Sequence, residues 1–194
     1  MHSTINKSNS ENDILDRRPI LVFDLDETLI HSAKQQLPNS ITIFVNSKQK
    51  HILVRNGAKP LLQELAKFYN IYIFTSASKE YADSIIDRIA PFIPMKNRLY
   101  KDSIKLYQRN PIKDLEIINH DFKRILLIDD TPKFGYKQPK NVVVVKSWFG
   151  EDSDSVLTND LLPLLKAVAN EDNLPKSIRD QSILRSPNNI WFIR

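Results

Sequence analysis

The chain has 194 residues, 41% of them hydrophobic and 26% charged, with 28 lysines and arginines against 23 acids for a net charge of +5. Those proportions are ordinary for a soluble globular chain and exclude a wholly disordered, collagenous or membrane-spanning one. It has no cysteine, which excludes disulfide scaffolds, thiolate zinc sites and thiol nucleophiles and suits a reducing compartment.

Residues 1–18 are rich in Ser, Asn and charge and read as a disordered arm. Lys7 stands there against Glu11, Asp13 and Asp16, unlike a secretory signal or a mitochondrial presequence. Ile20-Leu21-Val22-Phe23 reads as a fully buried strand. Ile41 to Val45 and His51 to Arg55 read as a hairpin around a five-residue loop, Asn46 to Lys50. A helix is expected over Gly57 to Tyr69, with Leu61, Leu62, Leu65 and Phe68 on one stripe. Ile71 to Phe74 is the next buried strand, and Ser78 caps a helix whose apolar face is Tyr81, Ile85, Ile86 and Ile89. A shorter helix is expected to carry Ile112, Leu115 and Ile118.

Arg124 to Ile128 and Asn141 to Val145 read as two further buried strands. Leu157, Leu161, Leu164, Leu165 and Val168 line a last helix, with Pro163 a flaw inside it. Ile190 to Ile193 is an apolar segment expected to dock on the domain itself. Continuous apolar strands alternating with helices predict an α/β fold with a mainly parallel sheet flanked by helices. Residues 19–170 form that domain, with a C-terminal extension over 171–194. No apolar run approaches the ~20 residues of a membrane span. The basic residues are spread out, with a weak cluster at Lys133, Lys137, Lys140 and Lys146. This reads as a solvated basic surface, with no nucleic acid expected as partner.

Chemistry gathers at the C-terminal ends of the apolar strands, the edge where open α/β sheets bind ligands. Asp24-Leu25-Asp26-Glu27-Thr28-Leu29 follows the first strand, Thr75-Ser76 the second and Asp129-Asp130 the third, with Lys113 between the last two. Clustered carboxylates repel unless a cation lies among them. Hard oxygen donors without His or Cys select Mg²⁺ over zinc. A lysine and backbone amides can then stabilise charge on transferring phosphoryl oxygens.

These motifs, in this order, resemble the haloacid dehalogenase superfamily of phosphotransferases. Phe74-Thr75-Ser76-Ala77-Ser78, Tyr81-Ala82-Asp83, Arg98-Leu99-Tyr100, Ile112-Lys113-Asp114-Leu115, Asp129-Asp130-Thr131-Pro132 and Ser147-Trp148-Phe149 narrow it. They resemble the branch of small phosphatases acting on the RNA polymerase II C-terminal domain. Two departures stand out. Arg55-Asn56-Gly57 replaces the branch's common Arg-Pro-Gly, and Asp130 stands where the branch often has Asn.

The resemblance implies a Rossmann-like fold and a Mg²⁺-dependent Ser/Thr phosphoprotein phosphatase. Asp24 would be the nucleophile that forms an aspartyl-phosphate, Asp26 the general acid and base, and Lys113 the cation screening both. Mg²⁺ would be held by Asp24, Asp26 through its backbone carbonyl, and Asp130, with Asp129 behind or through water. Thr75 and Ser76 would hold the substrate phosphate, with Thr28 also at that site or orienting the Asp26 loop. The intervals from Asp24 to Thr75 and from Thr75 to Lys113 leave no room for a cap domain, so the site is expected to be open to a phosphorylated protein or peptide. Location in nucleus or cytoplasm follows, without a membrane. Two other readings remain: a binding module of the mitochondrial import-receptor type, and a small-metabolite phosphatase.

Overall fold

The computed structural model describes residues 17–185 and 189–193, so the expected arm over 1–18 lies almost wholly outside the described residues. Strand β1 (Ile20–Phe23) is followed by β2 (Ile30–Ala33), β3 (Ile41–Val45) and β4 (Lys48–Val54), and then by helix α1 (Ala58–Leu65). Strand β5 (Asn70–Phe74), helix α2 (Lys79–Ile89), strand β6 (Arg98–Leu99) and a small hairpin of β7 (Lys105–Tyr107) and β8 (Asn110–Ile112) come next. The chain ends with β9 (Ile125–Asp129), β10 (Val142–Val145), α3 (Leu162–Ala167), α4 (Leu174–Arg185) and β11 (Ile190–Phe192).

The central sheet has six strands in the order β11-β10-β9-β1-β5-β6. Every pair is parallel except β10 with β11. From β1 the chain builds β5 and β6 on one side, then returns to build β9 and β10 on the other. The crevice at the switch, outside the carboxyl ends of β1 and β9, is where such sheets bind ligands.

Side chains alternate across β1. Leu21 and Phe23 face the larger core with Leu62, Ile86 and Leu164 from α1, α2 and α3. Ile20 and Val22 face a smaller cluster with Leu115, Ile125 and Leu127. That second face is covered by single 3₁₀ turns, Leu115–Ile117 and Phe122–Arg124, instead of helices. The helix expected to carry Ile112, Leu115 and Ile118 is absent: Ile112 closes β8, and only one 3₁₀ turn follows. Their spacing of three matches the 3₁₀ repeat, in which residues three apart eclipse, better than the α repeat.

Other differences also have local causes. Asn46 (φ 50°) and Ser47 (φ 62°) are both left-handed, so the hairpin turns in two residues and β4 starts at Lys48 instead of after a five-residue loop. Strand β2 was not expected; it joins β4 and β3 in a three-stranded insert in place of a plain hairpin. Helix α1 stops at Leu65, before the expected Tyr69, as Lys67 and Phe68 tighten to i−3 bonds on Glu64 and Leu65 carbonyls. Pro163 sits in the first turn of α3, where it has no intrahelical bond to lose. A π-type turn, Val156–Leu161, precedes it. Helix α4 was also unforeseen; it buries Leu174, Pro175 and Ile178. Strand β11 pairs Ile190 with Val145 and Phe192 with Val143, so the apolar C-terminal segment docks on its own domain.

Candidate active site

Asp24 leaves the end of β1, where its backbone N–H still donates to the Ile128 carbonyl at 2.9 Å. The chain then turns sharply. Glu27 adopts φ 60°, a left-handed conformation that costs an ordinary residue of order 1–2 kcal/mol. The turn is held by Glu27 N–H on the Ile30 carbonyl (2.7 Å) and by Trp148 N–H on the Glu27 carbonyl (2.8 Å). It sets Asp24, Asp26 and Thr28 around one crevice.

Lys113 reaches this crevice from the loop after β8, whose backbone N–H donates to the Phe134 carbonyl at 2.9 Å. Its side chain is fully buried, with Nζ 2.5 Å from Asp24 Oδ1 and 2.6 Å from Asp129 Oδ2. Burial pushes the Asp24 and Asp129 carboxyls up from the usual carboxylate range, and the ammonium pulls back against it. The two carboxylates hold the Lys113 ammonium above its ordinary value despite burial. The next residue, Asp114, anchors the loop. Its carboxylate accepts from Lys105, Lys137, Gln138 and the Glu116 amide, which holds it down to about 2. Lys137 also pairs with Glu116 (2.6 Å), so the weak basic cluster seen in the sequence is partly neutralised.

Thr28 is fully buried. Its hydroxyl lies 3.3 Å from both Asp24 Oδ2 and Asp130 Oδ1 and accepts from the Asp130 amide at 3.2 Å. One hydroxyl proton serves one carboxylate at a time, so the group ties the two strand ends together. Asp130 is half-buried and also accepts from Ser147 Oγ at 2.7 Å. Asp129 is fully buried; its second oxygen accepts from the Thr131 amide at 2.8 Å. Ligand atoms of Asp24, Asp129 and Asp130 lie within 4.8 Å of one another. Four carboxylates with Asp26 face one ammonium, all hard oxygen donors, and this set fits a hard divalent cation.

Thr75, at the end of β5, is buried, and its Oγ1 accepts from the Ala77 amide at 3.0 Å. Ser76 beside it is exposed. All eight residues singled out in the sequence therefore stand at the same sheet edge.

Sequence reasoning passed over others. Tyr81, read as part of a core stripe, donates its hydroxyl to Asp26 Oδ1 at 2.7 Å. Arg55 is fully buried and forms a bidentate pair with Asp154, both bonds 2.8 Å, while Nη1 donates to the Thr28 carbonyl at 3.1 Å. It clamps the insert and the Asp154 loop onto the Asp24–Thr28 turn. Arg55 had a signal in its Arg-Asn-Gly context and Ser147 in the Ser147-Trp148-Phe149 motif, though neither was read as a site partner; Asp154 had none. No helix among the described residues is long and apolar enough to cross a membrane.

The family model of NLI interacting factor-like phosphatases matches residues 19–175. Phosphatase Herzog of Drosophila melanogaster is 32% identical over 162 residues, which cover 81% of this chain and 46% of that protein. The human carboxy-terminal domain RNA polymerase II polypeptide A small phosphatase 1 is 31% identical over 172 residues, covering 86% of this chain and 63% of that one. The chain thus spans less than two thirds of the length of either relative. Among solved structures, Fcp1, an essential RNA polymerase II CTD phosphatase, superposes with a TM-score of 0.58 at 20% identity, over 86% of this chain and 54% of that chain. Fission yeast Fcp1 bound to beryllium fluoride gives 0.56 at 18% identity, over 91% and 58%. At those identities the structures show the shared haloacid dehalogenase fold. Matched over most of its length and carrying its acidic motifs at one sheet edge, the chain belongs to the NLI interacting factor-like phosphatase family.

Proposed function

We infer that the protein is a Mg²⁺-dependent phosphatase of phosphoserine and phosphothreonine in proteins. The observation that carries this reading is the buried Lys113 ammonium between Asp24 and Asp129, with Asp130 completing an acidic cluster. A pure binding module gains nothing from packing these carboxylates together, and their repulsion is a standing cost.

In the first step an Asp24 carboxylate oxygen attacks phosphorus and the bond to the substrate oxygen breaks. Asp26 gives that leaving oxygen its proton. In the second step Asp26 takes a proton from water, the resulting hydroxide attacks the aspartyl phosphorus, and Asp24 is restored as phosphate leaves. The Tyr81 hydroxyl holds Asp26 oriented. Lys113 offsets charge on the nucleophile, and Thr75 and Ser76 receive phosphate oxygens.

Asp24, the Asp26 carbonyl and Asp130 would hold Mg²⁺. When bound, it supplies positive charge against the phosphoryl oxygens. Asp130 is favoured as direct ligand because Asp129 is fully buried and paired with the Lys113 ammonium, whereas Asp130 is half-buried and its oxygens meet only the neutral hydroxyls of Thr28 and Ser147. Thr28, buried beneath the carboxylates, acts by orienting Asp24 and Asp130.

The substrate is a phosphorylated protein or flexible peptide, as the names of relatives acting on the RNA polymerase II C-terminal domain support. The insert leans on α2, where the Asn46 amide donates to Glu80 (3.3 Å), and no cap domain stands among the described residues. The test is hydrolysis of an aryl phosphate with Mg²⁺ and with EDTA, beside Asp24→Asn. Mg²⁺-dependent turnover lost in the variant is expected. Equal turnover with EDTA, or in the variant, overturns the reading. A panel of phosphopeptides and phosphosugars then reads substrate class, and a preference for sugars overturns the protein-substrate part.

A further inference from the structure

The three-stranded insert beside the catalytic crevice carries charge of one sign. The chain holds 23 acids in 194 residues, yet none stands between Glu27 and Glu64, a stretch that includes Lys34, Lys48 and Lys50. The strand register places these lysines. Lys50 of β4 pairs with Ile43 of β3, and Lys48 with Val45. Paired residues share a face of a sheet, and Ile43 and Val45 are buried in the main core. Lys48 and Lys50 therefore leave the insert on the face packed against α2. Ala33 ends β2 opposite His51, so Lys34 comes level with Lys50 one position on.

Like charges set opposite each other destabilise a sheet, and an anion between them removes that cost. Among the described residues these three lysines stand in no ion pair, and Glu80 of the facing helix accepts from the Asn46 amide instead. Lys50 is exposed, with its Nζ over the Tyr81 ring, 5.9 Å from the centroid. The hydroxyl of that same ring donates to Asp26 Oδ1 at 2.7 Å. One phenol ring thus separates the Lys50 ammonium from the general acid, a span of about three residues of extended peptide or fewer at ~3.3 Å each. We propose that the insert reads an anionic side chain of the substrate, a carboxylate or a second phosphate, within about three residues of the phosphoresidue. Lys50 is the contact, and Lys34 adds charge beside it. The proposal rests on the phosphoprotein reading of the catalytic edge. The carboxylates of the crevice repel an acidic peptide, and the lysines of the insert offset that repulsion.

The experiment measures kcat/KM of the 194-residue chain on phosphoserine peptides of equal net charge. One Glu lies either within about three residues of the phosphoserine, on one side or the other, or about ten residues away, well beyond a Debye length. A further peptide carries a second phosphoserine in place of the near Glu. The near Glu is expected to raise kcat/KM about three- to fivefold over the distant one, an advantage that fades towards ~1 M salt. A gain with the second phosphoserine alone also supports the proposal and names phosphate as the anion. Lys50→Gln removes the advantage, and Lys50→Glu reverses it in favour of a peptide with Lys at the near position. Both variants leave aryl phosphate hydrolysis unchanged, since that substrate has no flanking residue, and this also shows that they fold.

Equal kcat/KM for near and distant anions overturns the proposal. So does an advantage that survives Lys50→Gln, which would reflect only the overall charge of the chain. A loss of aryl phosphate hydrolysis in Lys50→Gln equal to the loss on peptides would place Lys50 at the reacting phosphate and overturns it too. Fluorescence anisotropy of the same labelled peptides on Asp24→Asn protein reads the preference without turnover. An absence of aryl phosphate hydrolysis by the wild type would sink the catalytic reading, while anisotropy separately decides whether the insert reads an anion.

Discussion

Arg55→Ala removes the clamp behind the catalytic turn. Arg55 is 1% exposed, and its partner Asp154 has a side chain 7% exposed. Two bonds of 2.8 Å to Asp154 and one of 3.1 Å to the Thr28 carbonyl are lost together. Deleting one partner of a buried pair strands the other charge, which costs about 3–5 kcal/mol. For a chain of this size each kcal/mol is worth ~2–4 °C in Tm, so a fall of about 10 °C is expected. Urea unfolding of wild type, Arg55→Ala, Asp154→Ala and the double variant gives the coupling. The double variant should lie well short of the sum of the singles, by about 2 kcal/mol. Thr28 also loses its carbonyl anchor, so turnover below the melting range should fall about tenfold or more as Asp24 and Asp130 shift. A loss of stability under ~1 kcal/mol would refute the clamp, by the range seen for exposed pairs. A destabilised variant with undiminished turnover would refute its link to the site.

Lys113→Met leaves Asp24 and Asp129 buried without their ammonium, so both carboxyls rise further and the nucleophile loses charge. Steady-state turnover of an aryl phosphate should drop about 10²–10³-fold, the range for losing one electrostatic contact in a preorganised site, and near-wild-type rates would count against the assignment. The Asp114 carboxyl is held down to about 2, below the ordinary ~3.9, so its contribution is full above about pH 5 and is lost as pH falls towards 2. The stability gap between wild type and Asp114→Asn, of order 2 kcal/mol at neutral pH and low salt, should therefore close between about pH 5 and pH 2 in urea titrations. Ser78→Ala removes the acceptor for the Tyr81 amide at the start of α2 and should cost about 1 kcal/mol in the same assay.

The catalytic edge was legible because its chemistry is written as short local motifs directly after apolar strands. Asp24 to Thr28, Thr75-Ser76 and Asp129-Asp130 each announce a strand end, and a parallel sheet brings strand ends together without further information. Lys113 was legible through order and resemblance, although its loop follows a small hairpin and not a helix. The clamp was not legible. Arg55 and Asp154 stand 99 positions apart, and a charged pair leaves no periodic trace. Tyr81 was masked by its own spacing, since an aromatic on an apolar stripe reads as core whether or not its hydroxyl meets Asp26. Helix α4 was hidden by weak amphipathicity: it packs few residues, and Pro175 in its first turn resembles a breaker. The 3₁₀ turns that cover the second face are too short for any pattern to declare them.

The measurement that bears most directly on the central claim is rapid-quench mass spectrometry of the protein during turnover of an aryl phosphate with Mg²⁺. The account predicts a phosphoryl group on the peptide containing Asp24, labile to hydroxylamine as an acyl phosphate is, and absent in Asp24→Asn. Steady turnover with no adduct at Asp24, or with the phosphoryl group on Ser76 or another residue, would contradict it.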